Sequence, residues 1–215
     1  MIRERLSLLS APAIEPVGEA EALAHLRISS EDELALLHGH MRAARLMVES
    51  WTGRALISQT WRWWLDAWPG QAGSEWWDGV RQGAISAGRA RFIEIPKAPL
   101  ISVSSVTLFN DADQAVVWAA ENYFADTASI PGRLVLRNAA SAPAPQRAAN
   151  GLQIDFVCGH GAGPGDVPAP LRQALLMLTA HYFENREVMR DADGGASVLP
   201  MGVQALLAPY RIMRL

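Results

Sequence analysis

Residues 33–68 read "ELALLHGHMRAARLMVESWTGRALISQTWRWWLDAW", and within this stretch the hydrophobic period changes once. Up to Trp51 the apolar residues fall at Leu34, Leu37, Met41, Ala44, Val48 and Trp51. That spacing of threes and fours lays one stripe along a helix of about five to six turns. Gly53 is the residue best able to take the left-handed backbone that ends a helix. From Leu56 onward the period falls to two, with Trp61, Trp63 and Leu65 on one face of a strand and Thr60, Arg62, Trp64 and Asp66 on the other. Upstream, "SSEDE" predicts a capping box with Ser30 as N-cap and Glu33 three positions on. The helix dipole accounts for the acids Glu31, Asp32 and Glu33 without catalysis.

Working outward, residues 17–28, "VGEAEALAHLRI", predict a short helix with Ala20, Leu23, Ala24 and Leu26 facing inward. Before it, the start "MIRERLSLLSAPAIEPV" reads as an arm, because serines, prolines and following acids break the apolar run a secretory signal needs. Beyond the tryptophan strand, further strands are expected at 91–95, 101–109, 115–118, 122–126, 133–137 and 152–158, separated by turn residues at 96–99, 110–113 and 130–132. Connections this short leave no room for helical crossovers, so the lobe is antiparallel. Two long small-residue loops, 69–88 and 138–151, interrupt it. Helix returns at 170–189, where Leu171, Ala174, Leu175, Leu178 and Tyr182 share a face widened by Leu176 and Phe183, which implies contact on two sides. The tail carries Val203, Leu206, Leu207, Tyr210 and Met213 on a segment too short to be helical alone, so this apolar patch needs a partner in the same chain or another.

The expected class is therefore α+β: a small helical bundle with an inserted antiparallel β lobe and a C-terminal arm. The boundaries are 1–55 for the N-terminal helices, 56–158 for the lobe, 159–190 for the returning helix and 191–215 for the arm.

Composition limits what such a chain does. Of 215 residues, 50% are hydrophobic and 19% charged, the balance of a folded globular protein. The longest uncharged apolar run, Ala174–Ala180, is far short of a bilayer span, so no membrane segment is expected. A net charge of −3, with Lys97 as the only lysine, argues against a protein devoted to neutralising phosphates. The single cysteine excludes an internal disulfide framework and suits a reducing compartment.

The run Phe156–Pro170, "FVCGHGAGPGDVPAP", invites chemical readings, and each fails. Neither frame completes G-x-G-x-x-G, because the last position is Pro164 or Asp166, and Gly-Lys-Ser/Thr is absent. Asp166 stands where an anion would approach the following helix and would repel it. Cys158 and His160 offer two metal ligands where zinc needs three or four. His38 and His40 diverge by roughly 200° on their helix. Cys158 closes an apolar strand, where cysteine is usually a small buried hydrophobe. No catalytic, cofactor or metal residue is assigned. The run reads instead as the exit from the lobe, a glycine hinge after which Asp166 and Pro170 start the returning helix. Among the tryptophans of the lobe, Trp61 and Trp63 read as core. Trp76 and Trp77, in a glycine-rich loop, read as a partner surface, with a glycan platform as the alternative function.

The order of these blocks resembles the phage head–tail connector (adaptor) family. The residues carrying the resemblance are Leu26-Arg27 ending the short helix, the acidic start of the long helix, the turn Trp51-Thr52-Gly53-Arg54-Ala55-Leu56, and the strand Gln59-Thr60-Trp61. The helix "VPAPLRQALLMLTAHYFENRE" and the arm "LPMGVQALLAPYR" extend it from about Ile14 to Arg211. The resemblance implies a non-enzymatic structural virion protein of a phage or gene transfer agent, assembled in the bacterial cytoplasm and located at the head–tail junction. It implies a ring, commonly of twelve copies, beneath the portal, contacting head-closure or tail proteins and passing DNA without specific binding. It makes the arm, from Val198 to Leu215, a docking element on the portal or an adjacent subunit. Leu206, Leu207 and Tyr210 would anchor it, and Arg211 and Arg214 would pair with a partner's acids.

Overall fold

The computed structural model describes residues 5–28, 33–68, 92–137, 142–185 and 199–212, and the backbone alone at 76–77 and 80–81. The fold is α+β, and it divides into two compact units, Met1–Ala11 with Gln59–Cys158 and Pro12–Ser58 with Gly159–Leu215, taken over the described residues.

The first unit is built of antiparallel strands. A five-stranded sheet runs in the order β1 (Arg5–Ser10), β2 (Gln59–Leu65), β10 (Leu152–Cys158), β6 (Leu100–Phe109), β7 (Ala115–Val117). A three-stranded sheet has the order β5 (Phe92–Glu94), β9 (Arg133–Leu136), β8 (Tyr123–Asp126), and β3 (Trp76–Trp77) pairs with β4 (Val80–Arg81). The alternation in β2 sets the register of the larger sheet. Trp61 and Trp63 stand opposite Phe156 and Ile154, and Arg62 stands opposite Asp155. Ile154, Phe156 and Trp63 are buried. On the other face Arg62 forms a two-pronged ion pair with Asp155 at 2.8 and 2.9 Å. The smaller sheet alternates equally cleanly: Ile93, Leu134 and Tyr123 are buried, while Phe92, Val135 and Phe124 form a cross-strand row with both phenyl rings exposed. Trp68 and Trp118, and Trp118 and Tyr123, pack with ring centroids 5.4 Å apart.

The N-terminal segment is the clearest departure from expectation. Residues 1–55 were assigned to the helices, yet Arg5–Ser10 is an edge strand on β2, with Leu6 opposite Trp63 and Leu8 opposite Trp61.

The second unit is helical: α1 (Glu19–Leu26), α2 (Leu34–Thr52), α3 (Ala169–Glu184) and α4 (Met201–Leu207). The stripe read from the sequence is its core. Leu37, Met41, Ala44 and Val48 of α2 pack with Leu171, Ala174, Leu175 and Leu178 of α3 and with Val203 and Leu207 of α4. The broad apolar face of α3 is used inside the subunit, since α1, α2 and α4 all pack on it.

Three local expectations need correction. Helix α2 starts at Leu34 with Glu33 itself in the cap position (φ −104°, ψ 7°), three residues later than a capping box from Ser30 to Glu33 requires; Ser30 lies outside the described residues. In α1 the buried position is Ala22, with Leu23 and Leu26 packed beside it, whereas Ala20 and Ala24 face water. Asp166 does not start α3. Its carboxylate accepts the Gly163 amide at 2.9 Å across a short 3-10 turn, Pro164–Asp166, and α3 begins at Ala169 with Pro168 as its cap.

The glycine run after β10 is tied down in this unit by two backbone bonds, from His160 N–H to the Leu56 carbonyl at 3.1 Å and from Ser58 N–H to the Gly161 carbonyl at 2.8 Å. Gly159 has φ +137°, and a Cβ there would lie 2.7 Å from the backbone of Ile57 and Ser58. Gly159→Ala is therefore expected to lower stability by about 2–4 kcal/mol, from strain and backbone overlap together. Urea unfolding checks this, and a loss below about 0.5 kcal/mol would show that the run relaxes freely.

Candidate partner-binding surfaces

The turn at the end of α2 is built around a buried carboxylate. Glu49 and Arg45, each with only 6% of its side chain exposed, lie one helical turn apart and pair at 3.3 Å. Arg45 also binds Glu15 at 2.8 Å. The second oxygen of Glu49 accepts the Leu56 amide at 2.9 Å. That bond curls residues 51–56 back over the helix end, with Gly53 left-handed (φ 72°) at the corner.

The curled turn forms a cradle, and the chain's own tail fills it. Ile212 donates its amide to the Thr52 carbonyl at 3.0 Å, and Arg54 Nε donates to the Tyr210 carbonyl at 2.6 Å. The Arg54 guanidinium sits 5.7 Å from the centre of the Tyr210 ring, and that of Arg211 sits 4.8 Å from the Trp51 ring. Thr52 stiffens the cradle by donating its hydroxyl to the Val48 carbonyl at 2.7 Å.

The predicted anchors of the arm thus turn inward. Leu207 is fully buried in the bundle core, with Leu206 and Tyr210 packed against that core. Leu207 therefore cannot present an apolar face to a partner as expected, because the bundle core already covers it, while Leu206 and Tyr210 keep part of their surface exposed. Arg211 is exposed and held on Trp51, while Arg214 lies outside the described residues. What α4 does offer is Met201, 86% exposed and the most exposed large hydrophobic residue described. Sequence reading passed over it, although the run 199–210, "LPMGVQALLAPY", contains no charge at all.

The tryptophans with described side chains present no exposed platform. Trp63 and Trp68 are buried, and Trp51, Trp61, Trp64 and Trp118 are half-buried, so no tryptophan with a described side chain is exposed. The side chains of Trp76 and Trp77 lie outside the described residues. Among the described residues no three His, Cys, Asp or Glu side chains gather as a metal site, and no helix is long and apolar enough to cross a membrane. Cys158 is buried.

No family model matches the chain, and no curated protein matches it. Solved structures do. A chain from the neck of an empty gene transfer agent (GTA) particle, computed with C6 symmetry, is 27% identical with a TM-score of 0.74, covering 98% of this chain and 97% of that chain. A chain from the virion of a native gene transfer agent particle matches at 27% identity and a TM-score of 0.72, covering 98% and 96%. A chain from the neck of a native GTA particle computed with C12 symmetry gives 27% and 0.65, covering 97% of both. The likeness is to a head–tail connector-type protein, end to end. The turn that carries the sequence resemblance, Trp51–Leu56, is the one that grips the tail.

Two tests follow from the cradle. Glu49→Ala leaves Arg45 partly unpaired and the Leu56 amide without its acceptor, and is expected to cost about 3–5 kcal/mol in denaturant unfolding; a cost under about 1 kcal/mol would remove the carboxylate from its central position. The second concerns His160, whose pKa is pushed below 6.5 by burial and then by nearby Arg54. The unfolded chain takes up this proton first as pH falls, so stability holds above about pH 6.5 and declines from there down to the lowered folded value. His160→Gln should flatten that decline in melts recorded from pH 7.5 to 5, and an unchanged slope would exclude the imidazole as its source.

Proposed function

We propose that this chain is a structural neck protein of a phage-like particle, a connector that forms a ring beneath the portal and extends the DNA channel toward the tail. The observation that carries the reading is likeness over 98% of the chain to gene transfer agent neck proteins, with nearly the whole of those chains covered in return. The C6 and C12 symmetry of the two neck particles supports a ring, and the proposal takes twelve copies. No enzymatic role is proposed. A balance of 19 basic against 22 acidic residues suits a wall past which DNA slides, because the chain has no net positive charge with which to grip phosphates.

Within this role the arm meets its partners through what it leaves exposed, Met201 and Arg211, rather than through the buried Leu207. The portal on one side and head-closure or tail proteins on the other are the proposed neighbours.

The test is genetic and structural. Removal of the protein from the producing bacterium should yield DNA-filled or empty heads that carry portal but no tails, with restoration by the full-length chain. Normal tailed particles in its absence would refute the connector role.

A further inference from the structure

The helical unit carries two surfaces without Asp, Glu, Lys or Arg, and they are not the same surface. One is the outer face of α4, where Met201, Gly202, Ala205, Ala208 and Pro209 are exposed and no charged residue occurs between 199 and 210. A helix face that stays in water normally carries charged residues, and this one carries none. The other is a groove of about 440 Å³ between α2 and the end of α3, lined by Leu36, His40, Ala43, Tyr182 and Asn185. Leu36 and Ala43 are exposed along its α2 wall, on a stripe offset from the one that builds the core. Burial in the groove's other wall raises the Tyr182 phenol above its ordinary pKa.

We propose that the outer face of α4 seats in this groove on a second copy of the chain, with Met201 as the knob. The proposal rests on the ring reading and names the surfaces that make the ring. A knob and a groove in different places on one unit can pair reciprocally across a two-fold axis or join head to tail, and the proposal takes the second. Repetition of that join closes a ring when the rotation closes. The neck particles, with C6 and C12 symmetry, need this kind of contact rather than a two-fold one. Charge agrees, since both surfaces lack Asp, Glu, Lys and Arg and neither leaves an unpaired ion when covered. So does shape, because an unbranched methionine adapts to an irregular groove, whereas a branched side chain would need a closer match.

Two variants of the full-length chain with one added cysteine each, Met201→Cys and Ala43→Cys, test the contact. Each is prepared separately, then mixed one to one with portal-bearing heads and gently oxidised. Disulfide-linked dimers are expected from the mixture and not from either variant alone, the native Cys158 being buried. In parallel, Met201→Glu and Ala43→Glu should each melt within about 2 °C of the parent, both sites being exposed, yet raise the concentration needed for ring assembly at least about tenfold. Mixed together they should stop at dimers, because one intact knob then meets one intact groove. If the parent forms rings and neither cross-links nor assembly respond to these changes, another partner covers the groove and the proposal fails alone. If the parent never forms rings on portal-bearing heads, the ring reading fails with it.

Discussion

Glu49 binds the Leu56 amide through one oxygen and Arg45 through the other, and with Arg45 also held by Glu15, these charges at the end of α2 are largely withdrawn from water. An ion buried to this degree is tolerated only while all its partners are in position, so the three groups act as one geometric constraint. The constraint fixes where the helix stops and in what direction the chain leaves it. Glu15 draws the segment before α1 against α2, and Leu56 and Ile57 then enter the bundle core. The same turn sets the angle at which Thr52 and Arg54 present a carbonyl and a guanidinium to the tail. Sequence positions 15, 45, 49 and 56 are joined by three short bonds around one carboxylate.

The bundle depends on this joint because its centre is not α2 but α3. With α1, α2 and α4 all packed on it, α3 has little face to spare, and its buried residues Leu171, Ala174, Leu175, Leu176 and Leu178 spread around much of its circumference. Helix α4 has only seven residues, too few to be stable alone. It stays helical because Val203 and Leu207 fill the core on one side and the cradle anchors the chain on the other, through Tyr210 and Ile212. A short helix held at both ends can keep an uncharged outer face in water without melting. Such a face is available for contact between subunits at little cost in ordering.

The sequence was legible where one element's pattern determined its own burial. The α2 stripe and the β2 alternation appear as read, and the strands from β5 to β10 lie within one or two residues of their expected places. It was illegible where burial depends on a distant partner. Residues 5–10 alternate too briefly to announce a strand, and only the register with Trp61 and Trp63 makes β1 one. The breadth of the α3 face was visible, but periodicity does not say whether the second side meets another subunit or another helix of the same chain. Trp51-Thr52-Gly53-Arg54 could be recognised as a motif, whereas its use as a cradle involves a bond spanning 156 positions, from Arg54 to Tyr210. The absence of charge from 199 to 210 was on the page as well. Its meaning required knowing that Met201 points outward while Leu207 points inward.

Charge placement follows the same logic at the surface. Net charge describes only the total, while DNA passing a protein responds to cations that are free to bind phosphate. In the strand unit Arg62 is held by Asp155, Arg133 by Asp126, Arg147 by Asp113 and Arg5 by Asp66; in the helical unit Arg172 is held by Glu21. The Arg133 contact pulls the Asp126 carboxyl down to about 2, so that pair stays ionised across the physiological range. Several other cations lie over aromatic rings: Lys97 on Trp61, Arg137 on Phe124 and Arg211 on Trp51. Among the described residues most of the cations are thereby engaged within the chain. In the proposed role that engagement matters more than any one charge, because a channel wall that leaves its cations free would grip a passing polyanion.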